Sequence, residues 1–514
     1  MTNPIQLNSS YQQVAKISAI GDDMEADLHE MVITPEKTAL ITIYQVYRHN
    51  LTEFNEEENR DYIWDCLFQE IDIETNELLF QWRATEHHAV SETYRDLGGD
   101  GTEESPWDWY HINSIQKDEL GNYLISARYT HTITYINGKS GEIIWILGGK
   151  RNAFSDVSDG LATKFANQHD ARMLPLSTFP VLMHDEIHKR GLWDGEKTRD
   201  GTTSQLVTLF DNSAEDGRYT DTISHGLLLE ITYPAVSNND DLTSPNHTGD
   251  LIRREEETRD LGTESAADST ASSAYTVRLV QSYDHPQNVI SSSQGSFQAL
   301  PTTENTDPKV LIGYGFNALW TEYAADGSVI CDTHFATNYS WERGDVQSYR
   351  VFKFPWVGQP IDPPTAVLGD ESVIVSWNGA TEVKTWVLQH AEQYTPGDTS
   401  LWTEIDRVEK NGFETEIEFD TDYAHRYLRV LALDDNDRVL GVSRGVDLGW
   451  TAGLASVIPT ITIDSGLTPV KLLMLFAANV TALVLLAEGW KKLWAWRRAR
   501  LWRKYRGVRL YSDA

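Results

Sequence analysis

The run DWYHINSIQKDELGNYLISARYTHTITYINGKSGEIIWILGG, Asp108 to Gly149, decides the fold. Short β-branched and aromatic segments alternate in it with turn sequences, DELGN at Asp118–Asn122 and NGKSG at Asn137–Gly141. Segments of this kind read as strands of a meander, and no helical periodicity interrupts them. Three residues stand out of the pattern. Period-two alternation puts His111 and Asn113 on one face of the first strand, and Arg128 ends the second strand near the same edge. A strand normally buries apolar side chains at such positions.

The same four-segment unit recurs along the chain. An earlier copy runs HEMVITPEKTALITIYQVY from His29 and CLFQEIDIETNELLFQW from Cys66. A later one begins HDARMLP at His169 and continues through QLVTLFDN, GLLLEITY and TVRLVQSY. The last runs SQGSFQALP, then VLIGYGFNALWTEYAADGSVICDTHF. Four-stranded units repeating without helices are the signature of a β-propeller, with a sandwich array or a β-helix as alternatives. The expected fold is therefore all-β, with a propeller over residues 1–357. An acidic, Ser/Thr-rich insertion at 233–275 breaks the third copy and is expected to be disordered. YQQVAKISAI reads as the closing strand of a preceding unit, so one or two N-terminal blades are expected to be missing upstream.

Beyond FKFPWVGQPIDPPTA the pattern changes, and residues 361–447 read as a fibronectin-III-like β-sandwich. A stalk at 448–466 follows. The apolar stretch 467–490 has the length of a transmembrane helix, and the Trp-rich tail 491–514 carries nine lysines and arginines against one aspartate. These features predict a single-pass membrane protein with a cytosolic tail and its main domains lumenal or extracellular. The lipid bilayer is thus an expected partner. Sequons at Asn8, Asn50, Asn246 and Asn338 agree with that topology. The start, MTNPIQLNSSYQQVAKISA, has no apolar signal region, so either a leader precedes it or the C-terminal helix inserts the chain. The net charge of −34 opposes nucleic-acid binding. Cys66 and Cys331 are the only cysteines; they are two separate thiols or one long-range disulfide, and offer no zinc ligand set.

His29, His111 and His169 each open a repeat. In a propeller the innermost strands line a common axis, so positions in one phase converge there. Three imidazoles, the Asn113 carboxamide and the Arg128 guanidinium would then face one another. Forked guanidinium donors suit an oxyanion, and a histidine among them acts as nucleophile or as general acid/base. Three imidazoles also suit zinc, but an adjacent arginine argues against a cation, so no metal and no cofactor is expected. His87, His88, His184 and His188 lie in loop sequence and read as structural. GKS at Gly138–Ser140 is no phosphate loop, since the upstream glycine would fall at Ile133; HEMVI at His29 lacks the second histidine of a zinc-protease motif.

At these residues the sequence resembles the arylsulfotransferase family, in particular its fungal, membrane-anchored branch. DWYHINSI resembles the family's D-W-x-H-V-N-S motif, LISARY its arginine-bearing strand, FANQHDARML its Q-H segment, and DLHEMVITPEKTALITIY the segment of a further active-site histidine. VSWNGATEV and the C-terminal stretch resemble the fungal branch. The resemblance implies a six-bladed propeller enzyme that moves a sulfuryl group from a phenolic sulfate ester to a phenol without a nucleotide donor. It implies His169 as the nucleophile forming a sulfohistidine, Asn113, His111 and Arg128 on the sulfuryl oxygens, and His111 or His29 handling the phenol proton. The alternatives are a glycosylated surface protein without enzymatic activity and a sulfatase-like hydrolase using the same residues.

Overall fold

A computed structural model describes residues 4–54, 59–185, 187, 202–215, 218–219, 221, 223–234, 274–302, 306–337, 340, 343–369, 371–394, 400–419 and 426–448. Regular structure among them is almost wholly β-strand. The chain divides into two compact units, one built on Gln12–Pro355 with the stretch before Ser9, the other on the residues from Trp356 onward with Ser9–Tyr11.

The first unit holds four successive antiparallel sheets. Sheet I comprises Ala26–Ile33, Thr38–Arg48, Tyr62–Asp72 and Leu78–Arg83; sheet II comprises Ile112–Lys117, Tyr123–Ala127, Thr132–Ile136 and Ile143–Gly148. Sheet III comprises His169–Leu174, Thr202–Asp211, His225–Pro234 and Thr276–Asp284, with the short strand Ser155–Asp156 added in parallel at its outer edge. Sheet IV comprises Ser296–Ala299, Val310–Gly313, Leu319–Tyr323 and Val329–His334. In each sheet the strands pair in chain order, as a meander does.

Local chemistry dictates those meanders. The Asp118 carboxylate accepts N–H bonds from Leu120 and Asn122, and Gly121 takes φ +82°. The Asn137 carbonyl oxygen accepts from Lys139 and Ser140 at 2.9 Å each. Such side-chain bonds stabilise tight turns in place of ladder bonds. The two turns of sheet II also touch: a Cβ on Gly138 would lie 1.7 Å from the Gly121 carbonyl oxygen. Close backbone approach accounts for the glycine of the GKS triplet.

Tyr123–Ala127 is buried throughout because both faces of sheet II are covered. Tyr123, Ile125 and Ala127 enter a layer shared with Phe68 and Trp82 of sheet I. Leu124, together with Ile133, Tyr135 and Trp145, enters a layer shared with Val207, Leu227 and Tyr233 of sheet III. A third layer joins Phe210 and Tyr283 of sheet III to Phe297 and Ile312 of sheet IV. Sheets thus stack face to face in chain order on apolar layers in which aromatic and aliphatic side chains mix, and their first strands touch in sequence, I on II, II on III and III on IV.

Buried ions fasten those first strands. Glu30 of sheet I accepts bonds from Arg172 of sheet III and from Arg350, each at 2.7 Å. Arg350 also donates to the Asn113 carbonyl of sheet II at 2.5 Å, and Asp170 accepts from Arg172 at 2.7 Å and from the Phe297 N–H of sheet IV at 3.1 Å. Burial pushes the Glu30 carboxyl up, but the two arginines outweigh it and hold Glu30 ionised.

The second unit is a two-sheet sandwich. Thr365–Leu368, Ser372–Ser376 and Glu414–Glu418 form one sheet; Thr403–Glu409, Thr385–Ala391, Tyr427–Leu433 and Val439–Val442 form the other, with Val446–Asp447 against Tyr427–Leu433. Val373, Val375 and Ile417 from the first meet Trp386, Leu388 and Val430 from the second.

The structure bears on several expectations. Both cysteines are free, Cys66 buried in sheet I and Cys331 exposed on the outer strand of sheet IV, so no disulfide joins them. Tyr233 and Pro234 belong to a strand rather than to the insertion, since they pair with Thr203 and Thr202. Most of 233–275 lies outside the described residues, as do 467–490 and 491–514. Among the described residues no helix is long and apolar enough to cross a membrane.

Candidate active site

The three phased histidines do not occupy one strand position. His29 is the fourth residue of Ala26–Ile33, His111 stands one residue before Ile112–Lys117, and His169 opens His169–Leu174. A register shift beside each histidine reconciles them, between Ala26 and Met31, between Ile112 and Ser114, and between His169 and Arg172. Bulges re-aim side chains away from strict alternation. His111 and Asp170 also take φ of +64° and +56°, a conformation costly for non-glycine residues and frequent where function over-determines the backbone. Period-two reasoning from His111 to Asn113 therefore does not hold in detail. The bulge turns the Asn113 carboxamide toward sheet III, where it donates to the Gln168 carbonyl at 2.7 Å, next to His169.

The rings nevertheless gather. His29 and His111 meet edge to face with centroids 4.5 Å apart. Tyr349 links them to the third histidine, lying 5.6 Å from the His29 ring and 6.2 Å from the His169 ring. All three imidazoles are buried. Arg128 follows Tyr123–Ala127 and is fixed by donating to the Tyr129 hydroxyl and to the Ser292 carbonyl, each at 2.9 Å.

Hydrogen bonding sets the tautomers. Nδ1 of His29 is bonded to Asp27 and Nδ1 of His111 to Asp108; a carboxylate only accepts, so both nitrogens carry the proton. Nδ1 of His169 lies 2.7 Å from Oδ1 of Asn212 and 3.1 Å from the Asn167 carbonyl. Asn212 cannot be flipped, because its Nδ2 donates to the carbonyls of Ser291 and Gln294 at 3.0 and 2.9 Å. Nδ1 of His169 thus faces two acceptors and holds a proton, which leaves a lone pair on Nε2. The Gln294 backbone N–H donates to that lone pair at 3.3 Å, a bond that attack by Nε2 must break.

Electrostatics keeps His169 neutral. Burial and then the Arg128 charge push its pKa well below the usual histidine value, against the Asn212 bond. Burial likewise lowers His111 to about 4, with His29 and Arg128 adding to it and Asp108 opposing. Burial raises the carboxyls of Asp27 and Asp108, but their histidine partners outweigh it and hold both below their usual values.

What the site lacks is partners. Nε2 of His29, Nε2 of His111, Oδ1 of Asn113, Nε of Arg128 and the Tyr349 hydroxyl are buried without a hydrogen bond. Native interiors seldom leave such groups unpaired, and a ligand with several oxygens would satisfy the donors among them. A metal is a poor fit. Among the described residues the one trio of His, Cys, Asp or Glu with ligand atoms within 4.8 Å is His285, Asp332 and His334, remote in sequence from these histidines. Even there the Gln287 N–H donates to Nδ1 of His285 at 3.1 Å, which puts the ring proton on the nitrogen facing Asp332.

Asp27, Asp108, Asn212, Tyr349, Glu30 and Arg350 escaped the sequence reading. Asp27 and Asp108 lie two and three residues before their histidines, a spacing that could have found them. Tyr349 and Arg350 lie beyond the last recognised strand, and nothing in the sequence signals their return. Two loop histidines are tied into local packing, His87 stacking on Trp82 at 4.9 Å and Nδ1 of His88 lying 2.6 Å from Glu92, while His184 is exposed, 3.3 Å from Asp185. His188 lies outside the described residues.

Histidines on or beside the first strands of successive four-stranded sheets thus gather around buried unpaired donors. The chain belongs to the arylsulfotransferase (ASST) family, whose sequence model matches residues 5–336. Comparison with curated protein sequences gave no match. Among solved structures, the chain is similar to a protein of unknown function from Bacteroides caccae at 11% identity and TM-score 0.28, covering 80% of this chain and 93% of that one. It is also similar to the GH43 BlXynB protein from Bacillus licheniformis at 8% identity and TM-score 0.21, covering 85% and 81% respectively.

Proposed function

We propose that the protein transfers a sulfuryl group from a phenolic sulfate ester to a phenol through a sulfohistidine on His169, with no nucleotide donor, metal or cofactor. The observation that carries this reading is the His169 tautomer: Asn212 and Asn167 hold the Nδ1 proton, so Nε2 offers its lone pair. In the first half-reaction Nε2 attacks sulfur, the bond from sulfur to the phenolic oxygen breaks, and His29 or His111, entering the step protonated on both ring nitrogens, gives its Nε2 proton to the leaving oxygen, a form that burial disfavours for His111. In the second half, that histidine takes the acceptor's proton, the acceptor oxygen attacks sulfur, and the N–S bond breaks to restore neutral His169. Arg128 positions the sulfuryl group through its unpaired Nε–H and offsets charge on its oxygens, while Asn113 contributes the second N–H of an amide whose first is held by the Gln168 carbonyl. Asp27 and Asp108 orient the two proton-handling imidazoles.

The four stacked sheets are read here as blades of a six-bladed type of propeller, and the second unit as a fibronectin-III-like module. The fungal, membrane-anchored branch is proposed from the apolar run at 467–490 and the basic tail, which support a single-pass protein with lumenal or extracellular domains. The sequon residue Asn50 is exposed, as a glycan would require.

The test incubates the full chain with a chromogenic aryl sulfate, with and without a phenol. Phenol-dependent release that disappears in His169→Ala supports transfer. Equal release without phenol indicates a hydrolase, and no release from a folded protein indicates a binding protein.

A further inference from the structure

Away from the three histidines, the first unit contains a cavity of about 810 Å³. Phe54, Tyr94 and Trp107 give it aromatic walls, while Arg60, Arg95 and Lys150 bring three cations against the single acid Asp96. In a chain of net charge −34 a lining with more cations than acids stands out, and it favours anions, although Asp100 and Asp108 offset the charge of Arg95 from behind. Its volume suits a small organic ligand.

The cations are built in. The Lys150 ammonium donates to the carbonyls of Ser91 and Thr93 at 2.8 Å each and lies 5.0 Å from the Tyr94 ring centre. Arg60 donates to the carbonyls of Gly98 and Asp100 at 2.6 and 2.5 Å. Arg95 lies 4.5 Å from the Tyr129 ring centre, 3.6 Å from Asp100 and 3.9 Å from Asp108. Trp107, part of the lining, is 1% exposed, and its indole N–H is buried without an acceptor. Such a donor is costly to leave unpaired.

None of His29, His111, His169, Asn113 or Arg128 lines the cavity. Tyr129 stands at the boundary, with Arg95 on the cavity side and Arg128 at 4.9 Å and the His111 ring at 5.0 Å from it. We propose that this cavity is a second binding site, separate from the sulfuryl site, for a small aromatic ring bearing one carboxylate or sulfonate. The ring packs on Phe54, Tyr94 and Trp107, and the anionic group takes the Trp107 N–H and the charges of Arg95 and Lys150. An anion there competes with Asp108 for Arg95, so the site is joined to the His111 dyad through one guanidinium.

The test is calorimetric titration of the full chain with benzoate, and with benzyl alcohol as a neutral ring of the same size. Benzoate is expected to bind at one site at least tenfold more tightly than the alcohol. Its affinity is expected to fall at least tenfold in Lys150→Gln and to drop in Trp107→Phe, which keeps the ring and removes the N–H. Affinity unchanged in His169→Ala and Arg128→Gln places the ligand outside the sulfuryl site. Absence of benzoate binding, equal binding of the alcohol, indifference to Lys150→Gln, or loss of binding in His169→Ala would each overturn the proposal.

Discussion

Replacing Asn212 by alanine removes the acceptor that lies 2.7 Å from Nδ1 of His169 and leaves the Asn167 carbonyl at 3.1 Å. The imidazole keeps a weaker hold on the same tautomer. A buried hydrogen bond of this kind contributes about 1–2 kcal/mol, and it strengthens as Nε2 attacks sulfur and the ring gains positive charge, so its loss falls on the transition state. The rate of His169 sulfation should therefore fall roughly 5- to 30-fold, since about 1.4 kcal/mol is tenfold. Asn212→Asp should be worse than Asn212→Ala for stability, because its carboxylate would face the Ser291 and Gln294 carbonyls that now accept from Nδ2. The assay is single-turnover release of a chromogenic phenol, with the imidazole tautomer read by nitrogen NMR in selectively labelled protein. An Asn212→Ala enzyme with unchanged turnover, or a wild-type His169 protonated at Nε2, would refute the assignment.

Other outcomes follow from the same geometry. Glu30→Gln leaves Arg172 and Arg350 facing a neutral group where each now has a bond of 2.7 Å, and should cost about 3–5 kcal/mol in denaturant unfolding; Glu36→Gln, at an exposed turn, should cost under about 0.5 kcal/mol. His111 and His131, both lowered to about 4 chiefly by burial, bind protons in the unfolded chain but not in the folded one between pH 6.5 and 4. Stability should accordingly fall as pH falls through that window, by about 3 kcal/mol for each group, in urea titrations at fixed salt. Gly138→Ala drives a methyl group into the Gly121 carbonyl and should destabilise the protein by at least about 1–3 kcal/mol in thermal melts, whereas Gly412→Ser at an open turn meets no atom within 4 Å and should be limited to the strain of its φ of +67°.

The strands were legible because their chemistry is local. Asp118 and Asn137 write their turns into the sequence, and alternating apolar residues write the layers between sheets. Phase matching found His29, His111 and His169 because repetition brings like positions together. It could not place them in detail, since a bulge beside each histidine is a property of paired strands. The carboxylates of Asp27 and Asp108 were readable in principle, lying two and three residues from their partners. Arg350 and Tyr349 were not: Arg350 reaches Glu30 across 320 residues of chain, and only the folded stack brings them together. The same holds for Asn212, whose role exists only once Ser291 and Gln294 fix its amide.

The most direct measurement charges the protein with an aryl sulfate in the absence of phenol, quenches it in alkali, and maps the sulfuryl group by peptide mass spectrometry. Sulfuryl on His169, discharged by adding phenol and absent from His169→Ala, is the expected result. Sulfuryl on His29 or His111, or phenol-dependent transfer that persists in His169→Ala, would contradict it.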